Sequence, residues 1–250
     1  MEPFKVSADL WLIDLAAYLP GRGTLVIADL HLGYEEALHR AGILVPRRHL
    51  QLVEERLGAI LEGLEPRDRP RRLVINGDLK HRFAPLSQGE WRETLELLEF
   101  LNKKFEEVML LRGNHDTNIE YLAECDGNLK IEDSLREGGL LLIHGDRRPH
   151  RRELTGVELI MIGHEHPAVS LRSLTGRREV YKAFLLGEYR GKRLLVQPSF
   201  NLLIKGSDLT RERAISPLLS ERQLREFAVY PVSDEGKIYS FGPLAPLLQP

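Results

Sequence analysis

Val157-Glu158-Leu159-Ile160-Met161-Ile162-Gly163-His164-Glu165-His166-Pro167 is the stretch from which the rest of the chain can be read. Val157 to Ile162 is an apolar run with the length of a buried strand. Gly163 ends it, and two imidazoles follow at i and i+2. On an extended segment, side chains two apart point the same way. Glu165 then faces away and is dispensable for ligation. Two imidazoles aimed into one space either bind a metal or repel each other on protonation. Taken alone, the stretch fits a metal site or a polar turn.

Four earlier apolar runs end in the same manner. Thr24 to Ala28 delivers Asp29-Leu30-His31, and Arg72 to Ile75 delivers Asn76-Gly77-Asp78. Glu107 to Leu111 runs into Arg112-Gly113-Asn114-His115-Asp116, and Leu140 to Ile143 into His144-Gly145-Asp146. Of the nine histidines, five lie in these clusters: His31, His115, His144, His164 and His166; the others are His39, His49, His81 and His150. Histidines without a common role would be scattered over helices and loops, so five that directly follow apolar strands argue for one site.

Helical segments separate the first three runs. One covers Glu35 to about Arg40. A longer one opens at Pro46 and reaches about Leu64, with Leu50, Val53, Leu57, Ile60 and Leu61 on one face. A third starts from the capping box Ser87-Gln88-Gly89-Glu90 and runs to about Lys104. Strand, helix, strand, helix, strand is an open α/β order, in which sites sit outside the carboxyl ends of the strands. Ahead of it, Phe4 to Leu15 reads as two short strands before a turn at Pro20-Gly21-Arg22-Gly23. After Asn118 the texture changes. Leu129 to Ile131, Ser134 to Arg136 and Leu140 to Ile143 read as short antiparallel strands with a Gly138-Gly139 turn. Ala168 to Arg172, Val180 to Leu186 and Arg193 to Gln197 read as a β meander, with turns at Thr175-Gly176 and Arg190-Gly191. Further strands are expected near Phe227 to Pro231 and Lys237 to Phe241, and the Pro-rich tail is expected to be loose.

The chain has 250 residues, 42% hydrophobic and 29% charged, with a formal net charge of −2. That suits a single soluble domain, with a motif-bearing core at about 24–200 and an extension at 201–250 completing a second sheet. Bulk charge calls for neither nucleic acid nor a membrane surface. Cys125 is the only cysteine, so a disulfide framework and a thiolate-rich metal site are excluded. There is no long apolar span and no secretory leader pattern at Met1 to Lys5, which points to the cytoplasm and to no membrane partner.

In this order, D-x-H, G-D, G-N-H-D, H and G-H-x-H resemble the calcineurin-like metallophosphoesterase superfamily, over Asp29 to His166. Asp29-Leu30-His31-Leu32-Gly33-Tyr34-Glu35 and Gly77-Asp78-Leu79-Lys80-His81 further resemble its ligase-associated, PdeM-like branch. The resemblance implies a four-layer α/β/β/α sandwich of two mixed sheets with a dinuclear centre at one sheet edge. Asp29, His31 and His166 would hold one ion; Asn114, His144 and His164 would hold the other; Asp78 would bridge them. Carboxylate, imidazole and amide oxygen suit two divalent ions, manganese first, with iron, cobalt, nickel or zinc also fitting. A bridging carboxylate keeps such ions about 4 Å apart, as needed to clamp attacking and leaving oxygens. His115 resembles the family's general acid, and Asn114 stands beside it as a second residue of the catalytic set. The expected activity is a phosphodiesterase that uses attack by a metal-activated hydroxide. The alternatives are a phosphomonoesterase or phosphoprotein phosphatase, and a non-catalytic scaffold of the same fold. The partner is a phosphate ester, nucleotide and nucleic acid included. The oligomeric state is open.

Two departures from the pattern bear on substrate contact. Phosphoprotein phosphatases carry G-D-x-x-D, and this chain has His81 at the second Asp. His115 is then held differently, or His81 itself meets substrate. His144 is followed by Gly145-Asp146, not by the commoner G-H. Arg112 adjoins the site and is a candidate phosphate contact. Arg147, which opens the basic run to Arg152, is either a backbone clamp or part of a solvated loop.

Overall fold

The structure, a computed structural model, describes residues 1–172 and 176–248. Strands β1 (Phe4–Ser7), β2 (Leu10–Ile13) and β3 (Ala16–Leu19) are joined by connections too short for anything but antiparallel pairing. β4 (Thr24–Ile27) continues the meander. Helices α1 (Tyr34–Arg40) and α2 (His49–Glu62) then provide a crossover, and β5 (Arg72–Asn76) lies parallel to β4. Helix α3 (Gln88–Asn102) leads to β6 (Glu107–Leu111), and helix α4 (Glu120–Cys125) to β7 (Leu129–Glu132), both strands again parallel to their predecessors. The seven strands lie in chain order in one mixed sheet.

The second sheet starts with the hairpin of β8 (Leu135–Glu137) and β9 (Leu140–Leu142). β10 (Leu159–Ile162) is parallel to β9. β11 (Pro167–Arg172), β12 (Arg178–Tyr189) and β13 (Lys192–Val196) form the expected meander, and β13 returns parallel to β10. The turn expected at Thr175-Gly176 lies partly outside the described residues. β14 (Ser207–Asp208) adds to β11; after the short helix α5 (Glu221–Leu224), β15 (Ala228–Pro231) adds to β12.

Two-residue alternation shows how the layers stack. In β9, Leu140 and Leu142 join the core between the sheets and Leu141 the outer one; in β10, Met161 faces inward while Ile160 and Ile162 face outward; in β12, Phe184 faces inward while Ala183 and Leu185 face outward. Both faces of this sheet are therefore apolar, as a sheet covered on both sides requires. Its outer cover consists of Leu154, Leu209, Leu218, Leu224 and Phe227, carried by loops and α5. Helices α2 and α3 cover the first sheet with Val53, Leu57, Ile60, Leu97, Leu98 and Leu101. Each such fully buried side chain contributes about 1.5–3 kcal/mol.

Four expectations need correction. Leu129 to Glu132 is parallel to β6, not antiparallel to its successor, because α4 turns the connection into a crossover. The long helix begins at His49, not at Pro46. The carboxylate of Glu35 accepts from the amides of Arg48 (2.8 Å) and His49 (3.0 Å), so α1 supplies the cap that α2 lacks locally. Lys237 to Phe241 is no regular strand; Val232 and Ile238 form an isolated bridge. The tail is not loose as far as it is described, since Leu244 is fully buried and Leu247 and Leu248 pack on the outer core.

Asp14, in the turn between β2 and β3, is fully buried with a left-handed backbone. Arg56 of α2 grips it with two 2.6 Å hydrogen bonds, through Nε and Nη2. Arg56→Ala leaves that carboxylate buried and alone, so the variant is expected to lose about 3 kcal/mol of stability. Urea denaturation checks this, and a loss below about 1 kcal/mol would show that Asp14 finds another partner.

Candidate metal centre

All five polar clusters meet at one edge of the two sheets, where β4, β5, β6, β9 and β10 end. The connecting loops brace one another beyond the strands. Asp29 N donates to Gly77 O (3.0 Å), His31 N to Asp78 O (2.9 Å) and Leu32 N to Leu79 O (2.8 Å), which extends the parallel pairing of β4 with β5. Gly163 N donates to His144 O (2.9 Å) across the second sheet.

Among the described residues, eight non-glycine residues have positive φ, and five of them are Asp29, His31, Asp78, His164 and His166. Left-handed backbone at side chains of this size costs energy, and it concentrates where surrounding structure enforces it. This corrects the geometry expected for Gly163 to His166. His164 (φ 62°) and His166 (φ 50°) leave the extended region, and their convergence comes from two left-handed residues. Glu165 between them is fully buried, turned away, and accepts from Ile215 N (2.9 Å) and Ser216 N (2.8 Å). Burial pushes its carboxyl up to about 7 against those amides. Glycine is required at two flanking positions. A Cβ on Gly77 (φ +85°) would overlap the His144 ring, and one on Gly113 would overlap Asp78.

Of three groups of donors among the described residues, two share Asp78, and the third, His31 with His81 and His115, joins the first through His31. Asp29, His31, Asp78 and His166 form the first, and Asp78, His144 and His164 the second. In the first, His31 Nε2 lies 3.2 Å from His166 Nε2, His166 Nε2 lies 3.3 Å from Asp29 Oδ1, and His31 Nε2 lies 3.7 Å from Asp78 Oδ2. In the second, His144 Nε2 lies 3.1 Å from Asn114 Oδ1, 3.2 Å from His164 Nδ1 and 3.4 Å from Asp78 Oδ2. Ligands bound about 2.1 Å from one ion at octahedral to tetrahedral angles are separated by about 3.0 to 3.4 Å. Donor atoms at this separation share either a proton or a cation, and the residues present fit two divalent ions. His144 Nδ1 has the backbone carbonyl of Asn76 at 3.2 Å and must donate to it, which leaves Nε2 as the lone pair facing the site.

The electrostatics agree with the geometry. Asp29 and Asp78 are buried, which alone would raise their pKa values. His166 and His144 around Asp29, and His144, His31 and His115 around Asp78, outweigh burial and hold both below the usual carboxylate range. At His144 burial disfavours charge, yet the hydrogen bond to Asp78 and the charges of Asp29 and Asp78 raise the imidazole to about 9. Burial drives His31 down to about 3, the state of a neutral ligand. Two buried carboxylates held ionised beside neutral imidazoles such as His31 are suited to hold cations.

His115 lies outside both groups that share Asp78 and belongs to the third, with His31 and His81. Its amide donates to Asp78 Oδ1 (2.9 Å) and its Nε2 is 3.9 Å from Asp78 Oδ2. Its Nδ1 donates to the backbone carbonyl of His81. The missing second Asp of G-D-x-x-D is thereby replaced by a main-chain acceptor. The His81 ring stands 5.7 Å from the His115 ring, nearly parallel to it. Arg112 is not turned to the site: it binds Asp133 (2.9 Å) and Glu120 (3.2 Å). Arg147 faces Glu153 at 3.7 Å, and the neighbouring Arg148 donates to Pro217 O.

The residues after β13, and Lys80, escaped the sequence analysis. Ser199 Oγ donates to Asp29 O (2.8 Å), and Phe200 N and Asn201 N donate to Ala28 O (2.7 Å) and Asp29 O (3.1 Å). These residues follow β13, so the pattern of a strand running into polar residues was there without a histidine to mark it. Asp116, 3% exposed, clasps its own loop by accepting from Gly113 N and Lys80 N. Lys80, 1% exposed, reaches His115 O and Ala84 O with its ammonium.

Two facing mixed sheets with paired carboxylate–imidazole–amide clusters at their edge define a metal-dependent phosphoesterase. The model of the calcineurin-like phosphoesterase family matches residues 24–156, just over half of the chain, and the protein belongs to that family. No curated protein matches it in sequence. Among solved structures, the nuclease MPE of Pseudomonas putida is similar over 96% of this chain and 99% of its own, with a TM-score of 0.64 and 22% identity. That resemblance shows a shared fold. The phosphoesterase YfcE from E. coli aligns over 88% of this chain and 98% of its own, with a TM-score of 0.37 and 16% identity. Among the described residues, no helix is long and apolar enough to cross a membrane.

Proposed function

We propose that this protein is a phosphodiesterase of the PdeM-like branch, working with two divalent ions, manganese first, on nucleotide or nucleic-acid esters. The observation that carries the proposal is the pair of donor groups joined through Asp78, with His115 poised beside them on the His81 carbonyl. Asp29, His31 and His166 would hold one ion, Asn114, His144 and His164 the other, and Asp78 would belong to both sets. Ions held there would supply positive charge to the phosphoryl oxygens and acidity to a water.

The protein's own groups do the rest. Since its Nδ1 donates to a carbonyl, His115 is left with Nε2 to carry the mobile proton to the leaving oxygen. Asp78 fixes the loop of His115 through its amide, so one carboxylate places both the cation sites and the acid. A diester is favoured over a monoester by charge. Arg112 and Arg147 are engaged with carboxylates and offer little to a dianion, whereas a diester carries a single charge.

Hydrolysis of bis-p-nitrophenyl phosphate with added manganese is the direct test, with p-nitrophenyl phosphate beside it. Turnover that is abolished by chelation and faster on the diester is expected. Faster turnover of the monoester would overturn the preference, and no turnover of either with any divalent ion would overturn the enzyme.

A further inference from the structure

The segment after Lys80 is held in an unusual way. Four consecutive backbone carbonyls are each tied to a side chain. His81 O accepts from His115 Nδ1, Arg82 O and Ala84 O from Lys80 Nζ, and Phe83 O from Thr117 Oγ1 at 2.6 Å. A loop fixed at every residue is rigid, yet it carries Phe83 with 61% of its surface exposed. A single exposed apolar ring is ordinary by itself, but this one is fixed beside His115. One face of this ring is used: it stacks on His115, with centroids 3.9 Å apart and planes at 29°. It ends a row of rings, Tyr34 edge-on to His81 at 4.8 Å, His81 beside His115 at 5.7 Å, and then Phe83.

We infer that Phe83 is a stacking platform for a planar ring on the substrate's leaving group, a nucleoside or an aryl group. The inference rests on the phosphodiesterase reading above. An acid that protonates the leaving oxygen must touch it. Whatever that oxygen carries therefore passes His115 and meets the ring stacked upon it. Base–aromatic stacking needs no hydrogen-bond readout, so the platform takes any base. It selects diesters with ring-bearing leaving groups over those with sugar or alkyl ones.

The test compares two small phosphate esters that differ only in the ring. Calorimetric dissociation constants of adenosine 5′-monophosphate and ribose 5-phosphate are measured on the manganese-loaded protein. The nucleotide is expected to bind about five- to a hundredfold more tightly. Phe83→Ala should bring the two within about twofold, and Phe83→Trp should keep or widen the gap. Circular dichroism confirms that the variants fold. A gap near one in the unmodified protein, or a gap that survives in Phe83→Ala, would overturn the platform. If Phe83 only shields His115, its loss changes turnover and leaves the gap unchanged, which overturns the platform. Turnover of bis-p-nitrophenyl phosphate without a nucleotide preference sinks the platform alone. Nucleotide preference without any turnover sinks the enzyme reading alone.

Discussion

Asp78→Ala is expected to empty both cation positions at once and to lower turnover by at least about a thousandfold. The size follows from what is removed: cation stabilisation of phosphoryl transfer amounts to several kcal/mol, and about 4 kcal/mol is a thousandfold. The breadth of the effect follows from the geometry. Asp78 Oδ2 lies 3.7 Å from His31 Nε2 in one group and 3.4 Å from His144 Nε2 in the other, so it is a member of both. Oδ1 meanwhile holds the amide of His115 at 2.9 Å. Without the carboxylate, the cluster also loses one of the two buried charges that raise His144 to about 9, so its pull on any cation falls. Elemental analysis after dialysis should find two ions per chain in the unmodified protein and fewer than one in the variant. Retention of two ions would refute the bridge. By contrast, removing Asp29 affects the first group most directly, since its Oδ1 lies 3.3 Å from His166 Nε2.

The gathering of these residues at one edge was legible in the sequence because each cluster is local to a strand end. Asp29, His31, Asp78, Asn114, His144, His164 and His166 each follow an apolar strand, and parallel strands joined by helices must end on the same side. What was not legible was how the backbone aims them. Nothing in Gly163-His164-Glu165-His166 announces two left-handed histidines; that conformation is imposed by neighbours such as Asp29, which accepts from His164 N. The long-range fastenings were equally hidden. Glu35 caps a helix 13 residues away, and the Ser199 hydroxyl steadies Asp29 from 170 residues away. Short elements were missed for lack of signal: α4 has no side-chain cap, and the two alanines that open β3 have weak strand preference. The replacement of an aspartate by the His81 carbonyl was beyond sequence altogether, since every residue offers a carbonyl and only the fold decides which one is aimed.

That carbonyl makes the second large effect specific. His115→Ala is expected to cut turnover by about 10²- to 10⁴-fold, the range for a positioned general acid, while both ions stay bound. His115 contributes no donor atom to either of the groups that share Asp78, and its side chain can be deleted without disturbing its amide, which is what Asp78 Oδ1 holds. The loss should depend on the leaving group. Nitrophenolate departs without help, so bis-p-nitrophenyl phosphate should suffer least, and a dinucleotide, whose alkoxide must be protonated, should suffer most. An aspartate partner for Nδ1 would favour the charged imidazole by its own charge, whereas the neutral His81 carbonyl orients the ring and adds only a dipole. A loss equal for both substrates would remove His115 from proton transfer, and a loss of bound metal would make it a ligand.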